Sequence, residues 1–183
     1  MSDVSDARAL EVLRFWFDEH PGEWFVKNPE LDAEIRRRFH ALYLEAESGA
    51  LEGWLDEPRA CLARVILLDQ IPRNMFRGGA RAFAADALAR AAARRILARG
   101  WNERMTQAEK LFAYLPFEHS ESLEDQNLSC ELMKDFDAEQ RRYAERHREI
   151  IDRFGRFPHR NEALGRPSTP DEIEFLKQPG SGF

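Results

Sequence analysis

Hydrophobic residues recur every three to four positions along most of the chain, which is the spacing of one face of an α-helix. No strand-like alternation of useful length interrupts this pattern, and no repeat of fixed period is visible. The sequence therefore predicts an all-α protein of seven to nine helices. The predicted helices cover a first segment from a cap at Ser5 or Asp6 to about residue 18, then residues 31–47, 59–70, 80–99, 107–115, a segment capped by Ser120 or Ser122, residues 138–154, and a short last helix through Ile173, Phe175 and Leu176.

Prolines and short polar side chains set several predicted helix ends. Pro116 is expected to stop the fifth helix, because proline has no N–H and its ring clashes with the preceding turn. The third helix is expected to end at about Gln70, shortly before Pro72. Ser122, followed three residues later by Asp125, fits a capping box at a helix start. Trp24 and Phe25 stand side by side in a connector and are expected to pack against the core or line a pocket.

The third helix is the most apolar segment and should be central, yet a polar run follows it directly. Polar groups next to a buried segment are costly unless they are paired. Two interpretations stay open: a buried ion pair of Asp69 with Arg73 or Arg77, or side chains that face a ligand. The residues of this first polar segment are Asp69, Gln70, Arg73, Asn74 and Arg77.

Two further polar segments follow apolar helices. In the loop after residue 154, Gly155 and Pro158 turn the backbone, and Phe154 and Phe157 can anchor it. This loop either points its polar side chains in fixed directions or merely covers the core. The second polar segment contains Glu118, His119, Glu121 and Gln126, and the third contains His147, Arg156, His159, Arg160 and Asn161.

Together the three polar segments could form one site for acid–base chemistry. Histidine titrates near neutrality and a carboxylate can orient it, so His147 or His159 is the candidate proton-transfer group, with Glu118 or Glu121 beside it. His147 lies on the inward face of its helix and should be buried and hydrogen-bonded. Arginine suits carboxylate or phosphate, and the candidates for an anion are Arg73, Arg156 and Arg160, the last two expected to lack a permanent partner.

Other interpretations of the same residues remain. They could form a structural ion-pair network, or a recognition surface for a peptide. A helical carboxylate metal site through Glu118, Glu121, His147 and His159 is disfavoured, because the Glu-x-x-His spacing of such sites is absent. No metal and no cofactor are predicted.

Composition narrows the class of protein. The net charge of −6 argues against a nucleic-acid binder. Cys61 and Cys130 show no CxxC spacing, and no apolar run approaches a membrane span of roughly 18 residues or a signal peptide. We therefore expect a cytoplasmic protein that contacts no membrane, with a single domain over residues 1–177 and a short tail over residues 178–183. The oligomeric state stays open.

Four motifs resemble a bacterial family of unknown function, DUF924. They are LRFWF (13–17), LDQIPRNMFRGGARAFAAD (68–86), LPFEHSESLEDQ (115–126) and RFGRFPHRNEALGRPSTPDEIEFL (153–176). Met75 replaces the aliphatic residue that is more usual in the family. The resemblance implies a tetratricopeptide-like antiparallel helical superhelix and carries over no activity.

We therefore hypothesise a helical protein whose polar Arg/His/Glu pocket binds a small anionic molecule, with or without acid–base catalysis. The alternative is a helical-repeat module that binds a peptide segment of another protein.

Overall fold

The structure is a computed structural model that describes residues 6–182, and within this range the chain is all-helical, as predicted, and has no β-strand. Short π or 3-10 segments cover Arg14–Glu19, Glu52–Asp56, Ala80–Ala82, Trp101–Arg104 and Pro158–Arg160. The tetratricopeptide-like superhelix stays a prediction. The α-helices are α1 (Ala7–Leu13), α2 (Pro29–Glu47), α3 (Pro58–Met75), α4 (Asp86–Ala98), α5 (Gln107–Glu118), α6 (Leu123–Met133), α7 (Ala138–Phe154) and α8 (Pro170–Leu176).

The chain forms two compact units. The N-terminal unit comprises Met1–Arg77 and Arg81–Pro116, and the C-terminal unit comprises Gly78–Ala80 and Phe117–Phe183. The expectation of one domain over residues 1–177 with a tail after it stays a prediction. Near the chain end, Ser181 Oγ donates to the Leu176 carbonyl at 3.0 Å.

Helix α3 is the centre of the N-terminal unit, as its apolar composition predicts, because it packs against α1, α2 and α4. The predicted end at Gln70 is wrong, since the helix continues through Pro72 to Met75. Burial of this turn outweighs the proline penalty of roughly 3 kcal/mol. Arg73 Nη1 and Asn74 Nδ2 add donors here, to the carbonyl oxygens four residues before them.

Two other predicted helix bounds are wrong. Helix α5 runs through Pro116 to Glu118. The residues around this proline are buried, so the free energy of packing again outweighs the tendency of proline to end a helix. The segment 80–99 is not one helix, because α4 begins only at Asp86. The Asp86 carboxylate lies in the first turn of α4, where a negative charge is favoured by the helix dipole.

The first helix has its predicted extent but changes type after Leu13, where π-helical turns carry the chain to Glu19. Asp6 is its cap and accepts from the Arg8 amide; Ser5 lies outside the described residues. Trp24 packs as expected, donating to the Trp16 carbonyl at 2.7 Å. Phe25 stacks on the buried Phe112 ring at 6.1 Å but remains 68% exposed.

The C-terminal unit is built on α6 and α7, which pack together. Asp137 caps α7 as predicted, and Gly155 ends it at φ +67°. Its core contains Ile150, Ile151 and Phe157.

At the start of α6 the predicted capping box is wrong, because the Ser122 side chain makes no capping bond. Asp125 instead accepts from Ser120 Oγ at 2.7 Å, five residues earlier in the chain. Ser120 is the better partner because its hydroxyl is buried next to this carboxylate, whereas Ser122 is exposed. The serine therefore bonds across the turn before the helix.

None of the helices within residues 6–182 is long and apolar enough to span a membrane. The cytoplasmic location stays a prediction.

Replacing Gly155 by alanine should lower the free energy of unfolding by about 1 kcal/mol, because an L-residue is strained at φ +67°. A Cβ at this position meets no atom within 4 Å, so the cost comes from the backbone alone. Gly22→Ala is the control. A Cβ at Gly22 meets no atom within 4 Å, and Gly22 has no positive φ. The free energy of unfolding of this variant should therefore differ from that of the parent by less than about 0.5 kcal/mol. Equal urea denaturation midpoints for the two variants would contradict this account.

Candidate functional site

The first polar segment forms a paired network inside the N-terminal unit. The Arg73 guanidinium donates to both carboxylate oxygens of Asp86 at 2.9 and 3.1 Å, and to the Asp69 carbonyl at 2.6 Å. It also lies 3.4 Å from the Asp69 carboxylate. The ion pair proposed for Asp69 and Arg73 therefore exists, with Asp86 as the closer carboxylate.

The other residues of this segment are paired as well. Gln70 Nε2 donates to the Asp69 carboxylate at 2.6 Å, and Asn74 Nδ2 donates to the Gln70 carbonyl at 3.1 Å. Arg77 forms two bonds with Asp32 of α2, at 2.7 and 2.9 Å. These contacts account for all five residues structurally, and their role toward a ligand stays a prediction.

The second and third polar segments meet in the C-terminal unit, at a buried carboxylate–histidine pair. His147 Nδ1 lies 3.2 Å from Glu118 Oε1 and 2.8 Å from the Tyr143 carbonyl oxygen. Both side chains are buried, each residue 5% exposed, so the predicted burial and bonding of His147 are confirmed. A carbonyl only accepts, so Nδ1 carries the proton and Nε2 keeps a lone pair.

Other cationic or titratable side chains gather around this pair. The His119 ring lies 6.4 Å from the His147 ring, and the Phe157 ring lies 5.6 Å from it. Phe157 in turn contacts the His159 ring at 5.5 Å and the Arg160 guanidinium at 4.6 Å. We call these residues the His147 cluster: Glu118, His119, His147, Phe157, His159 and Arg160.

The surroundings keep His147 neutral. Burial lowers its pKa to about 3; the bond to Tyr143 opposes this shift, and nearby His119, His159 and Arg160 lower the pKa further. At neutral pH the imidazole is therefore an acceptor at Nε2 and is not a proton donor there. A negative charge brought into the cluster would raise its pKa.

Glu121 has a different role from Glu118. Its carboxylate accepts from the Phe157 amide at 2.8 Å and from Arg166 at 2.7 and 2.9 Å. Burial raises the pKa of Glu121, but the bonds from Arg166 and Phe157 outweigh it and leave the pKa below its usual range. Glu121 fastens the loop after α7, and Glu118 is the carboxylate that contacts His147.

Arg156 is also committed to structure, so the expectation that it lacks a permanent partner is wrong. Its Nε and Nη2 donate to the two carboxylate oxygens of Glu172 at 2.6 and 2.8 Å, and Nη2 also donates to the Pro167 carbonyl. Glu172 is only 2% exposed and accepts from the Thr169 amide at 2.7 Å. The Arg156 bond lowers the pKa of Glu172 to about 2.

Asn161 belongs to the same structural network. Its Nδ2 donates to Ser168 Oγ at 3.0 Å and lies 3.3 Å from Glu172 Oε2, while its Oδ1 accepts from Arg166. Both polar atoms of the Asn161 side chain therefore form hydrogen bonds that stabilise the loop between α7 and α8.

Helix α6 carries two buried acceptors without donors. Gln126 Nε2 donates to the Glu118 and Ser120 carbonyls at 2.7 Å each, which fixes the orientation of the amide. Gln126 Oε1 and Ser129 Oγ are buried and make no hydrogen bond among the described residues. The two residues are three apart and so share one face of α6.

Arg166 and Glu172, which hold the loop, and the buried Ser129 were not among the predicted site residues, and Ser120 was predicted only as a helix cap. The capping-box spacing of Thr169 and Glu172 was a usable signal for a fixed glutamate. No group of three His, Cys, Asp or Glu side chains in the described part of the chain is placed to hold a metal ion.

Two comparisons with known proteins found a match. The sequence model of the family described as "Bacterial protein of unknown function (DUF924)" matches residues 12–180. A solved structure of a protein of unknown function from Agrobacterium tumefaciens is similar with a TM-score of 0.90 and 39% identity, over 93% of this chain and 97% of that chain. Among curated proteins, no significant match was found.

Glu172→Gln should lower the free energy of unfolding by about 2 kcal/mol at pH 7, because Arg156 loses its charged partner. The pKa of Glu172 is about 2 in the folded chain against an ordinary 4.5. The advantage of the parent over the variant is therefore complete above pH 4.5 and disappears as the pH falls toward 2.

Glu174→Gln is the matched control for this prediction. Glu174 lies on the same helix in an exposed pair with Lys177, so Glu174→Gln should lower the free energy of unfolding only slightly at every pH. Chemical denaturation between pH 2.5 and 7 checks both variants. A Glu172→Gln protein as stable as the parent at pH 7 would show that the bond to Arg156 does not hold the loop.

Proposed function

The chain belongs to the DUF924 family, and from this premise we propose that it binds a small, multiply charged anion at the His147 cluster. The observation that carries the proposal is the buried Glu118–His147 pair with His119, His159 and Arg160 around it. The Arg160 guanidinium carries a positive charge in this cluster, and an anion could bind it by charge-assisted bonds. A guanidinium next to three imidazoles, each of which can bind a proton, favours an anion with more than one charged oxygen, so phosphate and small dicarboxylates are the proposed ligand chemistry.

The proposed chemical role of His147 follows from its tautomer. Glu118 and the Tyr143 carbonyl hold the proton on Nδ1, which directs the basic Nε2 to the other side of the ring. A bound anion would raise the low pKa of His147 toward neutrality, where a histidine is most effective as a general base. Anion binding would thereby change His147 from an imidazole with a very low pKa into one that can accept a proton near neutral pH.

Arg160 is the proposed anion-binding arginine of this unit, because its guanidinium lies 4.6 Å over the ring of Phe157, which itself contacts the His147 ring. Gln126 Oε1 and Ser129 Oγ support a ligand that also carries a hydrogen-bond donor, because buried acceptors are costly when unpaired.

We keep the peptide-binding module, with the tetratricopeptide-like arrangement, as the second candidate. The exposed pair Phe25 and Val26 in the N-terminal unit favours it.

Titration calorimetry with phosphate and succinate tests the first proposal. Arg160→Gln should weaken binding by about 1.5–3 kcal/mol, the value of a charge-assisted bond. His147→Gln should keep most of the affinity but abolish the proton uptake that accompanies binding in the parent. That uptake appears as a heat that depends on the ionisation enthalpy of the buffer.

The control is Arg153→Gln, an exposed arginine on α7 whose guanidinium lies over Phe154 and Phe175. It should bind like the parent. If no dianion binds the parent, or if Arg153→Gln loses as much affinity as Arg160→Gln, the anion proposal is wrong. Peptide binding at the exposed pair Phe25 and Val26 then becomes the stronger candidate.

A further inference from the structure

Arg64 is a buried arginine in the middle of the most apolar helix of the N-terminal unit. Only 3% of the residue is exposed. The residues one turn before and after it on α3 are apolar and buried: Ala60, Cys61, Leu67 and Leu68. The surroundings that α3 provides for this charge are therefore almost entirely apolar.

The guanidinium of Arg64 has no compensating partner among residues 6–182. It makes no hydrogen bond and no ion pair there. Its Nη1 atom is fully buried, whereas Nε and Nη2 are not and so remain accessible from the surface of the unit. Glu52 is the acidic residue whose charge acts on it most, but Glu52 is exposed and forms no pair with it. Arg73, nine residues later on the same helix, shows the usual solution, because it binds two carboxylates.

Such a charge is costly and does not disappear by deprotonation. Burial lowers the pKa of Arg64, yet an arginine stays protonated at any physiological pH. A buried charge without a partner is one of the most destabilising features a protein can have. A position like this is expected where a ligand supplies the opposite charge.

We propose that Arg64 is the binding residue of a site in the N-terminal unit for a small monocarboxylate. The planar guanidinium matches a carboxylate with two parallel bonds. One buried positive charge is balanced by one negative charge, whereas a dianion would leave an excess negative charge near Glu52. The apolar residues of α3 around Arg64 suit a short alkyl chain. This site does not depend on the His147 cluster.

Thermal melts of the full chain in formate, acetate and propionate test the proposal, with ionic strength held constant by sodium fluoride. The parent should be stabilised by all three, with a saturable dependence on concentration. Arg64→Met removes the charge at similar length and should lower acetate affinity about tenfold or more. In buffer without carboxylate, Arg64→Met should melt at or above the parent temperature, because the buried charge is gone.

Arg59→Met is the matched control, since Arg59 lies on the same helix in an exposed pair with Glu109. It should keep the full acetate response, and so should Arg160→Gln, which separates this site from the His147 cluster. Chloride and phosphate at the same ionic strength should stabilise the parent much less than acetate.

Three results would overturn the proposal: no saturable stabilisation of the parent by any carboxylate, an equal effect of chloride, or an acetate response that survives in Arg64→Met. A much lower melting temperature of Arg64→Met without carboxylate would also contradict it, because the charge would then be compensated within the protein. A second measurement on the parent does not depend on the stability of a variant: the Nε–H signal of Arg64 in ¹⁵N-labelled protein, assigned with Arg64→Lys, must shift on addition of acetate, and an unchanged signal would contradict the proposal.

Discussion

Two carboxylates hold the loop after α7, and the geometry of the His147 cluster depends on them. Glu121 binds Arg166 and the Phe157 amide, and Glu172 binds Arg156 and the start of α8. The loop needs these bonds because Gly155 ends α7 and only the short turn Pro158–Arg160 is regular before α8. The turn carries His159 and Arg160, and Phe157 precedes it, so side chains far from His147 in sequence are fixed around it.

The arginines can be grouped by whether they bond to a carboxylate of the protein. Those that do have a structural role, and a buried arginine that does not is a candidate for ligand binding. Arg73, Arg77, Arg156 and Arg166 form charge-assisted bonds with carboxylates, which explains their positions without any ligand. Arg64 has no such bond among the described residues. The same distinction applies to glutamates: Glu121 and Glu172 bind arginines, whereas Glu118 faces a histidine. Buried polar groups of this second kind are where ligand chemistry is expected.

Periodicity in the sequence predicted the helical fold, the central position of α3 and the inward face that carries His147. These features depend on which residues are apolar, and that information is local. The predicted helix ends at Gln70 and Leu115 were wrong because burial of the surrounding helix, a property of the tertiary structure, outweighs the local preference of the prolines that follow. The partner of Arg156 could not be predicted, since Glu172 lies sixteen residues away beyond an irregular loop. Candidate site residues could be named from composition, but their pairings could not.

His147 is a buried, neutral imidazole whose proton is held on Nδ1 by Glu118 and the Tyr143 carbonyl. An NMR titration of ¹⁵N-labelled histidine, assigned with His147→Gln, measures both the pKa and the tautomer directly. The His147 signals should show the Nδ1–H form and stay unchanged from pH 8 to pH 5 without added anion, and the pKa of His147 should rise toward neutrality when phosphate is added. A His147 signal that titrates near pH 6.5 in the absence of anion, or that shows the Nε2–H form, would contradict this assignment.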